Sequence, residues 1–290
     1  MIVPARWYVN GKGKNLKTMR EYFQNSGKVR KIVDYPNSAD VFEGVNIRGG
    51  VCYFQYEKAY NGLCNFVMMN GDDIAGRYDA DLSKYTSIVR DGTGDQIIQK
   101  IQNQADEFMS GYVMTMDYFG VRSAEKFGCA TNKPQAGYAK IYTFNGVEYI
   151  QREYLNDPYH VLDRWNVLIT HGIGGDKKVV ANTMRVIGPN EACSVTYLCI
   201  GGCSDQLIAE RLKKYIQTKF VRFLMSLAIS GQSISRESFK FVPSIGFSEK
   251  SALNWNTSLQ DLDKQLCVKF GLTADEEKYI SSQIKYLDEK

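Results

Sequence analysis

Phe42 stands in a polar stretch between Asp40 and Glu43. A large apolar ring in such a loop is either a lid on the core or a surface for something flat. Cations that could meet phosphates lie in several places, because a phosphate contact needs only charge and reach. Arg6, Lys12, Lys14 and Lys17 come early, and Arg48 borders the Gly49-Gly50 bend. Lys177 and Lys178 follow a Gly-rich loop, His171-Gly172-Ile173-Gly174-Gly175-Asp176, whose backbone could approach a phosphate closely. Arg222 is placed to reach outward from a helix, Lys219 borders the apolar stripe and snorkels, and Arg236 precedes Glu237, with which it could pair. Each of these cations could equally be an exposed, solvated charge. Other chemistries lack their residues. Cys193, Cys199 and Cys203 have no close CxxC pairing, and with His160 and His171 as the two histidines no zinc-finger spacing exists. No spaced Pro-Asp…(Asp/Glu)-x-Lys arrangement suggests a nuclease, and the GxxxxGK[ST] phosphate loop is absent.

The elements that must position these residues follow from short-range pattern. Lys31–Tyr35 and Val51–Tyr56 are β-branched or aromatic runs bounded by Pro36-Asn37-Ser38 and Gly49-Gly50, the signature of two strands joined by an irregular loop. Ile2-Val3-Pro4 predicts a buried strand. Leu16–Asn25 predicts a helix with Leu16, Met19, Tyr22 and Phe23 on one face, stopped by Gly27. Asn61-Gly62 turns the chain after the third strand. Downstream, Asp95–Met109 is helical in pattern, and Lys140–Ile150 is a hairpin around Asn145-Gly146. Trp165–Ile169 and Ser194–Ile200 are strands, the second ended by Gly201-Gly202. A long helix follows, N-capped by Ser204, with Ile208, Leu212, Ile216, Phe220, Leu224 and Leu227 as its core stripe and Arg211, Lys214, Thr218 and Arg222 opposite. Thr273 and Glu276 form a capping box near the end.

The 290 residues suffice for one large or two ordinary domains, with 44% hydrophobic and 23% charged residues. No apolar run is long enough to span a membrane. Seven scattered cysteines and the lack of a signal-peptide pattern point to a cytoplasmic protein. The net charge of +4 is uneven: residues 1–31 carry eight Lys/Arg and one acid, 72–163 nine against fourteen, and 164–250 twelve against six. Two basic segments around an acidic one fit a basic groove built from distant parts of the chain.

The succession Ile2-Val3-Pro4-Ala5-Arg6-Trp7, helix, Val33-Asp34-Tyr35, Val41-Phe42-Glu43-Gly44-Val45 and Gly49-Gly50-Val51-Cys52-Tyr53-Phe54 resembles the second half of the catalytic domain of bacterial N6-adenine DNA methyltransferases. These are restriction–modification enzymes of type II, including single-chain type IIG enzymes that also carry a nuclease. Trp165-x-Val167-Leu168-Ile169, Thr196-Tyr197-Leu198, the Thr218-Lys219-Phe220-x-Arg222-Phe223-Leu224 stretch, Phe239-x-Phe241-Val242-Pro243 and Phe270-Gly271-Leu272-Thr273 are similar to their target-recognition region. The resemblance implies an α/β fold: a partial Rossmann-like methyltransferase sheet over 1–70, a mixed α/β target-recognition domain over 71–245 and a C-terminal helical tail over 246–290. It implies double-stranded DNA as partner, with Phe42 matching the aromatic that stacks on the flipped adenine. Base-reading residues are expected within 72–185, although that region is acidic.

Two of the family's blocks are missing. There is no S-adenosylmethionine-binding Gly-rich loop and no Asn-Pro-Pro-Tyr; the sole Asp-Pro, at Asp157-Pro158-Tyr159-His160, lacks the second proline. The chain alone is therefore expected to bind no cofactor and to methylate nothing, with S-adenosylmethionine and the methyl transfer belonging to a missing N-terminal half. An exposed sheet edge at Ile2-Val3 would follow. The other readings are a stand-alone specificity subunit docking through that edge onto a separate methyltransferase chain, and a DNA mimic or inert remnant.

Overall fold

The computed structural model describes residues 2–8, 14–47, 49–122, 131–172, 183–229, 233–248 and 251–285. The chain divides into two compact units, Met1–Ile97 and Ile98–Lys290. The fold is mixed α/β, as the sequence predicts.

The first unit is built on a five-stranded sheet. Its elements are β1 (Val3–Pro4), α1 (Lys14–Asn25), β2 (Val29–Tyr35), β3 (Val51–Tyr56), β4 (Cys64–Asn70) and β5 (Asp73–Ala80), in the spatial order β1-β3-β2-β4-β5. β1 and β2 both run antiparallel to β3, so α1 links two strands of one direction with a reversed strand between them. β2 and β4 are parallel, and β4 and β5 form a hairpin, so the sheet continues past residue 70. The hairpin turns at Gly71 (φ +60°), after Asn70. β1 pairs with β3 alone among the described residues, at an edge of the sheet, and Ile2 beside it is exposed rather than buried.

Leu16, Met19 and Phe23 of α1 pack on a core containing Trp7, Ile32, Cys52 and Phe66. Trp7, Phe23 and Phe54 form a ring cluster with centroids 5.1–5.4 Å apart. Tyr22, expected on the same face, is exposed; its hydroxyl lies 3.1 Å from that of Tyr56. Tyr22 directly precedes Phe23, and neighbours in a helix point about 100° apart, so both cannot face the core.

The division between the units falls inside α2 (Gly92–Gln102). This helix is shorter than Asp95–Met109 predicts: Met109 lies in a separate 3-10 turn, where its N–H bonds to the Val242 carbonyl.

The second unit holds two three-stranded sheets. One contains β6 (Tyr138–Thr143), β7 (Gly146–Gln151) and β10 (Glu191–Cys193). The other contains β8 (Trp165–Thr170), β9 (Met184–Ile187) and β11 (Tyr197–Cys203). Ala139, Ile141 and Ile150 of the first share a core with Leu168, Ile187 and Cys199 of the second. The alternate residues Val167, Ile169, Leu198 and Ile200 are buried too, so β8 and β11 are covered on both faces and show unbroken apolar runs. β11 does not end at Gly201-Gly202. A bulge there carries the strand on to Cys203, with Gly201 and Gly202 at φ +136° and +83°.

The expected long helix is two helices, α3 (Gln206–Gln217) and α4 (Lys219–Ala228), separated by Thr218. Asp205, not Ser204, caps α3 by accepting from the Ile208 N–H at 2.9 Å. Thr218 caps α4 by accepting from the Val221 N–H. α4 is buried on nearly every side, Lys219 and Arg222 included.

α5 (Leu259–Lys269) and α6 (Ala274–Gln283) complete the unit. The capping box is present: Thr273 Oγ1 accepts from Glu276 N–H, and the Glu276 carboxylate accepts from Thr273 N–H at 2.7 Å. Burial pushes the Glu276 carboxyl up. The hydrogen bond from Lys100 Nζ at 2.7 Å and that from Thr273 outweigh it, so the net shift is downward. A carboxylate depressed in the folded state adds stability above its ordinary pKa and loses it as pH falls through the folded value. Glu276→Gln is expected to cost about 1 kcal/mol at neutral pH, and the gap from wild type should close below pH ~4.5. Urea denaturation at several pH values measures both.

Among the described residues no helix is long and apolar enough to cross a membrane.

Candidate nucleic-acid interface

The described residues of the loop between β2 and β3 are tied together by hydrogen bonds. Asn37 caps a 3-10 turn at Ser38–Asp40, accepting from Ala39 N–H at 3.2 Å. Ser38 is buried and organises the rest. Its hydroxyl donates to Val45 O (2.7 Å) and accepts from Ile47 N–H (2.8 Å), while its carbonyl accepts from Phe42 N–H (2.9 Å). Asp40 accepts from Gly71 N–H at 2.9 Å, tying the loop to the β4–β5 turn. Against this frame Phe42 is 41% exposed, so it is not a lid closed over the core, and Val45 is exposed with it.

The far end of the loop is held by close backbone approach. Gly50 has φ +79°, and a Cβ there would meet the Tyr35 carbonyl oxygen at 2.1 Å, so only glycine fits. Gly50 O accepts from Ala5 N–H at 3.0 Å. Arg6 follows directly; it is exposed, and its Cγ comes within 3.8 Å of where a Gly49 Cβ would stand. The structure thus brings one predicted phosphate-contacting residue to the base of the Phe42 loop.

Behind the loop lies a buried ion pair that is absent from the expected site residues. Asp34 is fully buried in β2 and accepts from the Tyr8 hydroxyl and from an Arg90 guanidinium nitrogen at 2.9 Å. The same Arg90 nitrogen donates to Gly49 O, so the ion pair pins the loop's end. Burial works against the Arg90 charge, but Asp34 overrides it and its pKa is raised. Burial, reinforced by Asp34, pushes the Tyr8 hydroxyl well up. Burial also pushes the Cys52 thiol up to about 11. The signal was available: Asp34 is two residues from Ile32, so it shares the core face of the strand, and a carboxylate there must be paired.

Several other predicted contacts fall elsewhere. Arg222 does not reach outward. It is fully buried and donates to Lys285 O at 2.6 Å, and burial lowers its pKa to about 10 against the opposing pull of Asp263. Lys219 is likewise buried and donates to Ser281 O at 3.3 Å. Arg211 donates to Phe247 O (2.9 Å), and Lys214 to Trp255 O (2.7 Å) and Thr257 O. Arg211, Lys214, Lys219 and Arg222 therefore satisfy backbone carbonyls of the tail, a use of charge no local spacing announces. Arg236 is exposed and donates to Ser110 O at 2.7 Å; it forms no ion pair with Glu237 among the described residues. Lys12, Arg48, Lys177 and Lys178 lie outside the described residues, as does the side chain of Lys14.

The Asp157-Pro158-Tyr159-His160 segment has a structural task. Asp157 accepts from the Tyr118 hydroxyl (2.8 Å) and from the N–H groups of Val161 and Leu162 (both 2.9 Å). It caps the turn at Val161–Asp163, with His160 in the left-handed region at φ +54°.

No protein-family model and no curated protein matches this sequence. Among solved structures, the chain is similar to the type IIG restriction endonuclease BpuSI, with TM-score 0.34 and 10% identity over 99% of this chain and 43% of that one. It is also similar to the type IIL restriction–modification enzyme MmeI in complex with DNA, with TM-score 0.39 and 10% identity over 99% of this chain and 44% of that one. The chain spans less than half the length of either enzyme.

Proposed function

We propose that this chain is the DNA-recognition part of a restriction–modification adenine methyltransferase, and that Phe42 stacks on an adenine turned out of the duplex. The observation that carries the reading is the exposed Phe42 ring on a loop fixed by Ser38. Enzymes that act on an extruded base hold it against aromatic or apolar side chains. A ring held on a rigid frame loses little freedom when the base arrives. Arg6, beside the loop's base, serves a neighbouring phosphate. The S-adenosylmethionine pocket and the methyl-transfer step belong to the half of the enzyme that carries the Asn-Pro-Pro-Tyr segment. A second reading, a separate specificity subunit, draws on the β1 edge, where a methyltransferase chain could add a strand.

Mispairing lowers the cost of extruding a base. The wild-type chain is expected to bind a duplex with a mispaired adenine about tenfold tighter than its fully paired counterpart. Phe42→Ala should remove that margin, at a cost of about 1–3 kcal/mol in affinity for the mispaired duplex, and Phe42→Trp should keep it. Fluorescence anisotropy measures all three. A Phe42→Ala chain that retains the margin would exclude Phe42 as the stacking residue.

A further inference from the structure

The β6–β7 hairpin carries the most exposed aromatic among the described residues. Phe144, at its tip, is 87% exposed. The tip itself is locked. Thr143 Oγ1 accepts from Asn145 N–H (3.2 Å) and donates to Gly146 O (3.1 Å), and the strands pair up to Thr143 and Gly146. Two residues back, the buried Tyr142 ring is a platform for charge. The Arg185 guanidinium carbon lies 4.5 Å from its centroid and Lys140 Nζ 4.8 Å. Lys140 is neutralised by Glu191 at 2.8 Å. Arg185 is exposed and has no ion pair among the described residues. A guanidinium stacked on a ring keeps its N–H edge available for an anion.

We propose that this tip enters the major groove of duplex DNA, with Phe144 packed on a thymine methyl group and Arg185 on an adjacent phosphate. The proposal rests on the DNA-recognition reading above and names an element that would read sequence. Three features favour DNA as the occupant. The ring is apolar and projects from a narrow, hydrogen-bonded turn, a shape the major groove admits. The thymine methyl is the one apolar group the groove presents, and Phe is among the side chains that contact it. Arg185, with no ion pair among the described residues, lies over the ring of Tyr142, two residues before Phe144, and supplies the cation a flanking phosphate requires. A purely apolar protein partner would leave that cation without an acceptor.

The test selects preferred duplexes from a randomised pool with the full chain, then measures affinity across salt concentrations. Phe144→Ala should weaken the selected duplexes about 5- to 150-fold, leave the salt slope unchanged and relax preference at one A·T pair. Replacing thymine by uracil at that pair should weaken the wild-type chain and leave Phe144→Ala unaffected. Arg185→Ala should weaken all duplexes alike and reduce the salt slope by about 1. Because Phe144 is exposed, its loss should leave the melting temperature unchanged. If the wild-type chain binds duplex DNA and Phe144→Ala alters neither affinity nor preference, the hairpin inference is wrong and the DNA reading stands. If the wild-type chain binds no duplex, both fall.

Discussion

Asp263→Ala is expected to destabilise the second unit by about 3–5 kcal/mol, the usual cost of removing one partner from a buried charged network. Asp263 sits in α5, and its two oxygens accept from the Lys219 N–H (3.1 Å) and the Phe220 N–H (2.8 Å). With Thr218 serving Val221, the first N–H groups of α4 are satisfied inside the core. Removing the carboxylate leaves two buried donors unpaired. It also takes the balancing charge from Arg222, whose guanidinium has no surface to retreat to. Arg222→Met should cost less, because Asp263 keeps both helix donors and methionine fills the volume. Urea unfolding followed by tryptophan fluorescence reads the change, since Trp165 and Trp255 both belong to this unit. A loss under about 1 kcal/mol for Asp263→Ala would contradict the placement of this network.

Arg90→Met should cost the first unit a similar amount, about 3–5 kcal/mol, by stranding the Asp34 carboxylate in the core. Its second effect is local. The Gly49 carbonyl loses its guanidinium donor, so the end of the Phe42 loop loosens. Hydrogen exchange should rise at the Gly50 amide, which donates to Ile47 O at 2.9 Å, and at the Phe42 and Ile47 amides held by Ser38. The exchange should rise beyond what the global loss of stability explains. A conservative Tyr8→Phe change removes one hydrogen bond to Asp34 and keeps the ion pair, so it should cost less, about 1–2 kcal/mol. Equal losses for the two variants would mean that Arg90 contributes no more than the tyrosine hydroxyl.

What the sequence disclosed followed the range of the interactions involved. β2 and β3 were legible because Pro36, Asn37 and the two glycines bound short β-branched and aromatic runs. The Thr273–Glu276 box and the 140–150 hairpin were legible for the same reason: their signals lie within a few residues. The break at Thr218 was hidden because Ile216 and Phe220 keep the four-residue spacing across it, and both helices bury that stripe. Thr218 itself, β-branched and able to cap, was the clue. Arg222 departs from its expected place because a cation opposite an apolar stripe normally meets water; here the tail brings the Lys285 carbonyl to it from more than sixty residues away. The Phe42 loop is polar and turn-rich in sequence, but its internal hydrogen bonding depends on Ser38 reaching Val45 and Ile47. The β4–β5 hairpin has a local mark too, the Asn70-Gly71 pair at its turn.

The central claim is that this chain recognises duplex DNA, and its affinity as a function of salt tests that most directly. Cations that meet phosphates release counterions, so log K should fall linearly with log salt, with a slope of about −0.9 for each phosphate neutralised. Binding should be measurable near 50 mM salt and weaken steeply by 200 mM. The slope should fall by about 1 in Arg6→Ala. Absence of binding at low salt, or an affinity indifferent to salt, would contradict the claim.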